Sequence, residues 1–302
     1  MLNLMLPALV ASLILVGLHA YLGIHIIARG VIFVDLALAQ VAAFGWAAAG
    51  LGLGHEVGQL LGMSDATAGY FVGLAATLIA AALFSVSRMR HAYVPQEAII
   101  GIVYVVATAG TILLAAQAPR GSEHVEHLLT GGLLWVTWPE IWKTAIAYVA
   151  IGAFHWFFRE RFLVISLRPD EASARGWMVR RWDFMFYALF GVTVTLSVAI
   201  AGVLVVFSFL VIPAVIAFLF TARTSYLLGI AWASGIVATL GGLYTSYVTD
   251  MPTGPMVVCA FAVALLLAFA LRRVLPDKTG DDRAGETWDQ QPAAEGEVRT
   301  NA

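Results

Sequence analysis

The chain has 302 residues, of which 61% are hydrophobic and 12% charged, with a mean hydropathy of +0.86 and a formal net charge of -2. That leaves too little polar surface to cover a soluble domain of this size, and it predicts an all-α integral membrane protein. A transmembrane β-barrel is excluded, because its strands would alternate apolar and polar residues in segments of about ten, whereas the apolar runs here are continuous and rich in Ala, Leu and Gly.

Runs of spanning length, roughly 17–25 residues, fall at about 4–28, 31–51, 67–87, 98–116, 141–158, 184–201, 203–221, 225–246 and 256–271, which predicts a polytopic bundle of about nine helices. The first run lacks a positively charged start and carries His19 and His25 before Arg29, so it reads as a span rather than a cleaved signal peptide. Ionisable groups inside hydrocarbon cost roughly 2.5–3.5 kcal/mol at a helix centre and tend to mark a pathway. The candidates are His19, His25, Asp35, Gln40 and His155. Asp35, near the start of the second span, reads either as a pathway group or as the partner of Arg29. His25, four residues from Tyr21, reads as a hydrogen-bonded interhelical group or a ligand. His155, beside Arg159, is expected at the membrane interface.

Between the fourth and fifth spans, Gly121-Ser-Glu-His-Val-Glu-His127 gathers Glu123, His124, Glu126 and His127. These are donor types for zinc, manganese or iron, and at helical spacing they would stand one turn apart, whereas a solvated turn needs no such role. The longest charged stretch, Arg161–Arg181, contains Leu167-Arg-Pro-Asp-Glu-Ala-Ser-Ala-Arg-Gly176. Pro169 suits a first helical position, Asp170 and Glu171 complement the helix N-terminus, Arg175 suits the last turn, and Gly176 a left-handed stop. A short helix between two spans is predicted, suited to being gripped by a partner. Pro213, in mid-span, is expected to kink or break its helix. Asp250-Met-Pro-Thr-Gly254 is a breaker-rich turn whose Asp250 is placed to meet a cation, and Cys259 is expected to be packed within the last span. Residues 1–275 form the membrane domain, and 276–302 carry the composition of a disordered polar tail.

With nine spans, Arg29, Arg88, Arg90, the six arginines from Arg159 to Arg181, Arg223, Arg272 and Arg273 fall on one side, and only Arg120 and Lys143 on the other. Because cytoplasmic loops retain basic residues, the N-terminus is expected outside, the charged loop and the C-terminus inside. The sequence has no G-x-x-x-x-G-K-S/T phosphate loop and no H-E-x-x-H helix, so neither ATP hydrolysis nor zinc-protease chemistry is expected of the chain itself.

Arg29-Gly-Val-Ile-Phe33, the loop helix ending Ala174-Arg-Gly176, the run Gly202-Val-Leu-Val-Val-Phe-Ser-Phe-Leu-Val-Ile-Pro-Ala214 and the Asp250-x-Pro-Thr-Gly254 turn occur in this order. With Gly101-Ile102 and Leu128-Leu-Thr-Gly131, they resemble the permease subunit of bacterial metal-ion ABC transporters over about residues 4–273. The resemblance implies a type II ABC-importer-like permease fold in the bacterial inner membrane, a second permease copy as a homodimer, and a pathway at their two-fold interface. It also implies cytosolic ABC ATPase subunits received by the coupling helix Pro169–Gly176 and an extracytoplasmic metal-binding protein at the outer mouth. The expected cargo is a divalent metal, with no stably bound cofactor, ATP used only through the partner, and no nucleic acid.

One departure stands out. The family usually carries Asp-Ala-Leu-Ser-His in the second span, and those two ligand positions are here Leu36 and Gln40. Asp35 and Gln40 lie about 140° apart around a helix, against about 40° for positions 36 and 40, so they do not simply replace the pair. Two further readings follow: a permease for a chelated metal such as cobalamin or a siderophore, and a secondary transporter independent of any ATPase.

Overall fold

The computed structural model describes residues 2–87, 94–117 and 131–275. Among them every regular element is helical: α1 (Leu2–Arg29), α2 (Val34–Ala48), α3 (Gly54–Leu61), α4 (Asp65–Ser87), α5 (Gln96–Ala115), α6 (Trp138–Phe157), α7 (Arg159–Leu167), α8 (Pro169–Ala174), α9 (Val179–Phe220), α10 (Thr224–Thr249) and α11 (Thr253–Val274). A π-helical turn at Ala49–Leu53 joins α2 to α3 and a short 3-10 turn at Leu133–Trp135 precedes α6. Seven of the described helical segments are long and apolar enough to cross a membrane, and an eighth if α6 and α7, bent by 75°, count as one. The chain is a multi-pass membrane protein.

At 42 residues α9 would extend about 63 Å if straight, twice a bilayer's hydrocarbon thickness of about 30 Å, and its contacts show how the excess is used. Asp183 pairs with Arg29 at the end of α1, Ser197 faces His19, and Ile200 lies with Ala11, Ile14 and Leu15. Past Gly202 the order reverses, with Leu210 against Gly23 and the Leu219 carbonyl accepting from Arg272. The corner is Gly202, at φ 76° and ψ 161°, a combination open essentially to glycine alone. Counting α9 as two passes gives nine traverses among the described residues. The predicted break at Pro213 is not where the backbone departs from helix: Pro213 is buried within the returning half, and the irregularity lies at Gly202.

The bundle therefore has a basic end and an opposite end. Arg29, Arg159, Arg161, Arg168, Arg175, Arg180, Arg181, Arg223, Arg272 and Arg273 gather at the first, and among the described basic residues only Lys143 belongs to the second. The first half of α9 is the central post, with Phe186, Tyr187, Phe190 and Val194 fully buried and Phe186 stacked on Phe190. The peripheral helices α5 and α11 instead expose Val105, Val106, Leu113, Leu266 and Leu267, the surface expected where lipid rather than water is the solvent. Cys259 is on this exposed surface and not packed inside.

Candidate functional site

At the basic end, α6 stops at Phe158 and the chain turns into α7 and then α8. Pro169 opens α8 and Gly176 (φ 71°) closes it; the Trp177 N–H donates to the Ala172 carbonyl at 3.1 Å and the Gly176 N–H to Ser173 at 3.0 Å. This paired closure satisfies the last carbonyls of the helix. Glu171 accepts from Arg175 and Arg168, while Arg175 reaches Glu160 of α7 at 3.1 Å. Ala172 is fully buried beneath the helix, and the guanidinium of Arg161 lies 4.9 Å from the Trp182 ring centre. The helix predicted at residues 169–176 is thus present as a short projection closed at its C-terminus.

Immediately below, a polar clasp ties that projection to the spans. Arg29 donates from Nη1 to Asp183 at 2.6 Å and from Nε to Ser166 Oγ at 2.8 Å, and His25 Nδ1 lies 2.9 Å from the same hydroxyl. The guanidinium sits 3.9 Å above the Phe186 ring. The partner of Arg29 is therefore Asp183, not Asp35. Asp35 is 1% exposed, and neither of its carboxylate oxygens has a hydrogen-bond partner. Leu36 is half-buried and Gln40 buried on the same helix, which passes so close to α4 that a methyl group on Gly45 would meet the Gly73 Cα at 2.7 Å.

Beside the clasp, a half-open groove of about 500 Å³ runs between α1, α6 and α10, lined along α1 from Leu13 to His25 and along α6 from Ala145 to His155. Its walls are apolar except at the basic end, where Tyr21, His25 and His155 converge with ring centres 4.7–6.3 Å apart. His155, in the last turn of α6 at the basic end, is only 1% exposed and stacks on Phe162. Further along, His19 is fully buried, with Nδ1 2.8 Å from the Leu15 carbonyl and Nε2 3.2 Å from Ser197.

The remaining predicted residues lie elsewhere. Asp250 is the exposed left-handed cap of α10 in a turn held by Ser246, whose hydroxyl donates to the Met251 carbonyl at 2.7 Å. Glu123, Glu126, His124 and His127 lie outside the described residues, as does the tail at 276–302. Among the described residues no three His, Cys, Asp or Glu side chains gather as a metal centre. Sequence reasoning missed Asp183 and Ser166. The signal for Asp183 was a lone acid immediately before the apolar run at 184–201, two residues after Arg181; Ser166 carried none.

Residues 1–272 match the model of the ABC 3 transport family. A manganese transport system membrane protein of Listeria innocua is 28% identical over 216 residues, covering 72% of this chain and 75% of its own length. A protein of Haemophilus influenzae named a probable iron transport system membrane protein is 25% identical over 236 residues, covering 76% and 85%. In a solved structure, PsaBC from Streptococcus pneumoniae in complex with Fab, one chain superposes with a TM-score of 0.69 at 21% identity, covering 87% of this chain and 90% of that one. At that identity the likeness is one of fold.

Proposed function

Because the chain belongs to the ABC 3 transport family, we propose that it is the membrane permease of an ATP-driven importer of divalent metal ions, zinc, manganese or iron, in a bacterial inner membrane. The observation that carries the reading is the family match over residues 1–272, which spans every described helix but the last residues of α11. In this reading the basic end faces the cytoplasm, two copies of the chain enclose the path, and each receives a separate ATPase subunit on α8. An extracytoplasmic binding protein delivers the ion at the opposite end.

The geometry of α8 supports its part in this. A helix of six residues has little stability of its own, yet this one is capped at its C-terminus, seated on Ala172 and braced to α7 through Arg175 and Glu160. Such a brace lets a push on α8 reach Ser166, and through Ser166 reach Arg29 and His25 of α1. Proline at Ala172 removes the N–H that donates to the Arg168 carbonyl, and proline inside a helix costs about 3 kcal/mol. The test is ATP-driven uptake of zinc, manganese and iron by the permease and its co-encoded ATPase in vesicles. Ala172→Pro and Glu171→Lys are expected to abolish uptake while the spans remain folded. Uptake at the parent rate by both variants would remove α8 from the coupling role. Failure of an ATPase to co-purify with the parent would favour a secondary transporter instead.

A further inference from the structure

We propose that the groove between α1, α6 and α10 contains a transit site for a divalent transition-metal ion, held by the imidazoles of His25 and His155 with the Tyr21 hydroxyl beside them. The inference rests on the reading of the cargo as a metal ion and locates its coordination, which positions 36 and 40 no longer supply. Buried polar groups are nearly always hydrogen-bonded, and leaving one without a partner costs about 1–3 kcal/mol. Here Tyr21 Oη, His25 Nε2 and both ring nitrogens of His155 lack any partner. They line one cavity, and both histidines are 99% buried. A set of donors left open at the end of an apolar groove is the arrangement of a binding site.

Metal–imidazole bonds of about 2.0–2.1 Å place a ring centre about 3.2 Å from the ion, so two rings can share an ion when their centres are up to about 6.4 Å apart. The centres of His25 and His155 are 6.3 Å apart. That separation is close to the limit, so a bent arrangement requires the His155 ring to turn toward His25, and it has no hydrogen bond to lose in doing so. The Nδ1 of His25 is already oriented by Ser166 at 2.9 Å, the kind of second bond that fixes a ligating imidazole. Two cations face the site: Arg29, whose charge is matched by Asp183, and Arg159 at the groove's mouth, which lies 4.7 Å from the Trp156 ring centre. Their repulsion weakens the site, and a conduction path requires binding favourable enough to admit an ion and weak enough to release it. Imidazole suits zinc and iron better than manganese, whose preferred donors are carboxylate, carbonyl and water.

The test is Co2+ titration of the full chain in nanodiscs, followed by its visible absorption, in a His124→Ala/His127→Ala background that removes the outer-loop histidines. Competition with Zn2+ and Mn2+ ranks the ions. A saturable site with nitrogen ligation is expected, displaced by Zn2+ at concentrations about tenfold or more below those needed for Mn2+. His155→Phe is expected to weaken Co2+ binding by about tenfold or more, without changing the thermal midpoint of the metal-free protein, because phenylalanine keeps the stack on Phe162. No saturable Co2+ site, or equal affinity in the parent, His155→Phe and His25→Asn, overturns the proposal. ATP-driven uptake separates the two readings: parent uptake unaffected by His155→Phe overturns the site and leaves the permease standing. Binding that is lost in His155→Phe, in a complex that moves no metal, supports the site and overturns the permease reading.

Discussion

The two faces of α1 are built to opposite specifications. On the face turned to α9, backbones touch: a methyl group added to Gly23 would lie 1.9 Å from the Leu210 carbonyl oxygen, and the charge of Arg29 is matched by Asp183. On the face turned to the groove, Gly17 has open space around the position of its missing Cβ, as does Gly152 across the gap, and the Tyr21 hydroxyl, His25 Nε2 and both ring nitrogens of His155 are left without partners. One helix of 28 residues thus carries a sealed structural seam and an unfilled site. A buried ionisable group is informative about function only after its hydrogen-bond account is closed; Arg29 and His155 lie at the same end of the bundle, and Arg29 spends Nε and Nη1 on Ser166 and Asp183 with Nη2 left open, whereas neither ring nitrogen of His155 has a partner.

The largest test of that contrast is at the clasp. Removing one partner of a buried ion pair leaves the other charge uncompensated and costs about 3–5 kcal/mol. Arg29→Gln and Asp183→Asn are each expected to lower the thermal midpoint sharply and to reduce the amount of protein recovered from membranes. The double variant should recover part of the loss, because no bare charge remains. If either single variant melts with the parent, the seam is not held by this pair.

A smaller effect is expected from the glycines. Gly23→Ala must push α1 off the returning half of α9, and overpacking of this kind costs about 1–3 kcal/mol. Gly17→Ala meets nothing within 4 Å and should cost no stability, since alanine is favoured over glycine in a helix interior by about 1 kcal/mol. Denaturant midpoints of the two variants in the same detergent give the comparison directly. Equal losses would mean that the space around Gly17 is closed in the detergent-solubilised protein.

Much of this architecture was legible in the sequence. Apolar run length gave the traverses, including the separation of 184–201 from 203–221, because Gly202 interrupts an otherwise seamless stretch and only glycine fits that corner. The loop helix was legible because Pro169, the acidic pair and Gly176 act through neighbours a few residues away. The groove was only half legible. Tyr21 and His25 lie four residues apart, so their shared stripe on α1 could be read, but the groove's far wall comes from α6, more than a hundred residues later. Pairing across that distance is set by how helices pack and leaves no local signature. The same reason explains why Arg29 was matched with the nearby Asp35 when its partner is Asp183, 154 residues away.

That correction makes Asp35 the finest test of the difference between matched and unmatched groups. Its carboxylate is buried, carries no hydrogen bond and has lost its supposed partner to Asp183. A structural acid, when neutralised, should destabilise the fold as Asp183→Asn does; an acid kept for a passing cation should not, since nothing in the resting protein depends on its charge. Asp35→Asn keeps the side chain's shape and is expected to leave the thermal midpoint within about 1 kcal/mol of the parent, because no made bond is removed. Metal uptake by the assembled transporter should fall. Arg29→Gln should not reproduce that pattern, since its loss of uptake would come with loss of folded protein. If Asp35→Asn instead unfolds the chain and spares uptake per folded molecule, Asp35 belongs with Arg29 among the structural groups, and the ion's route does not pass it.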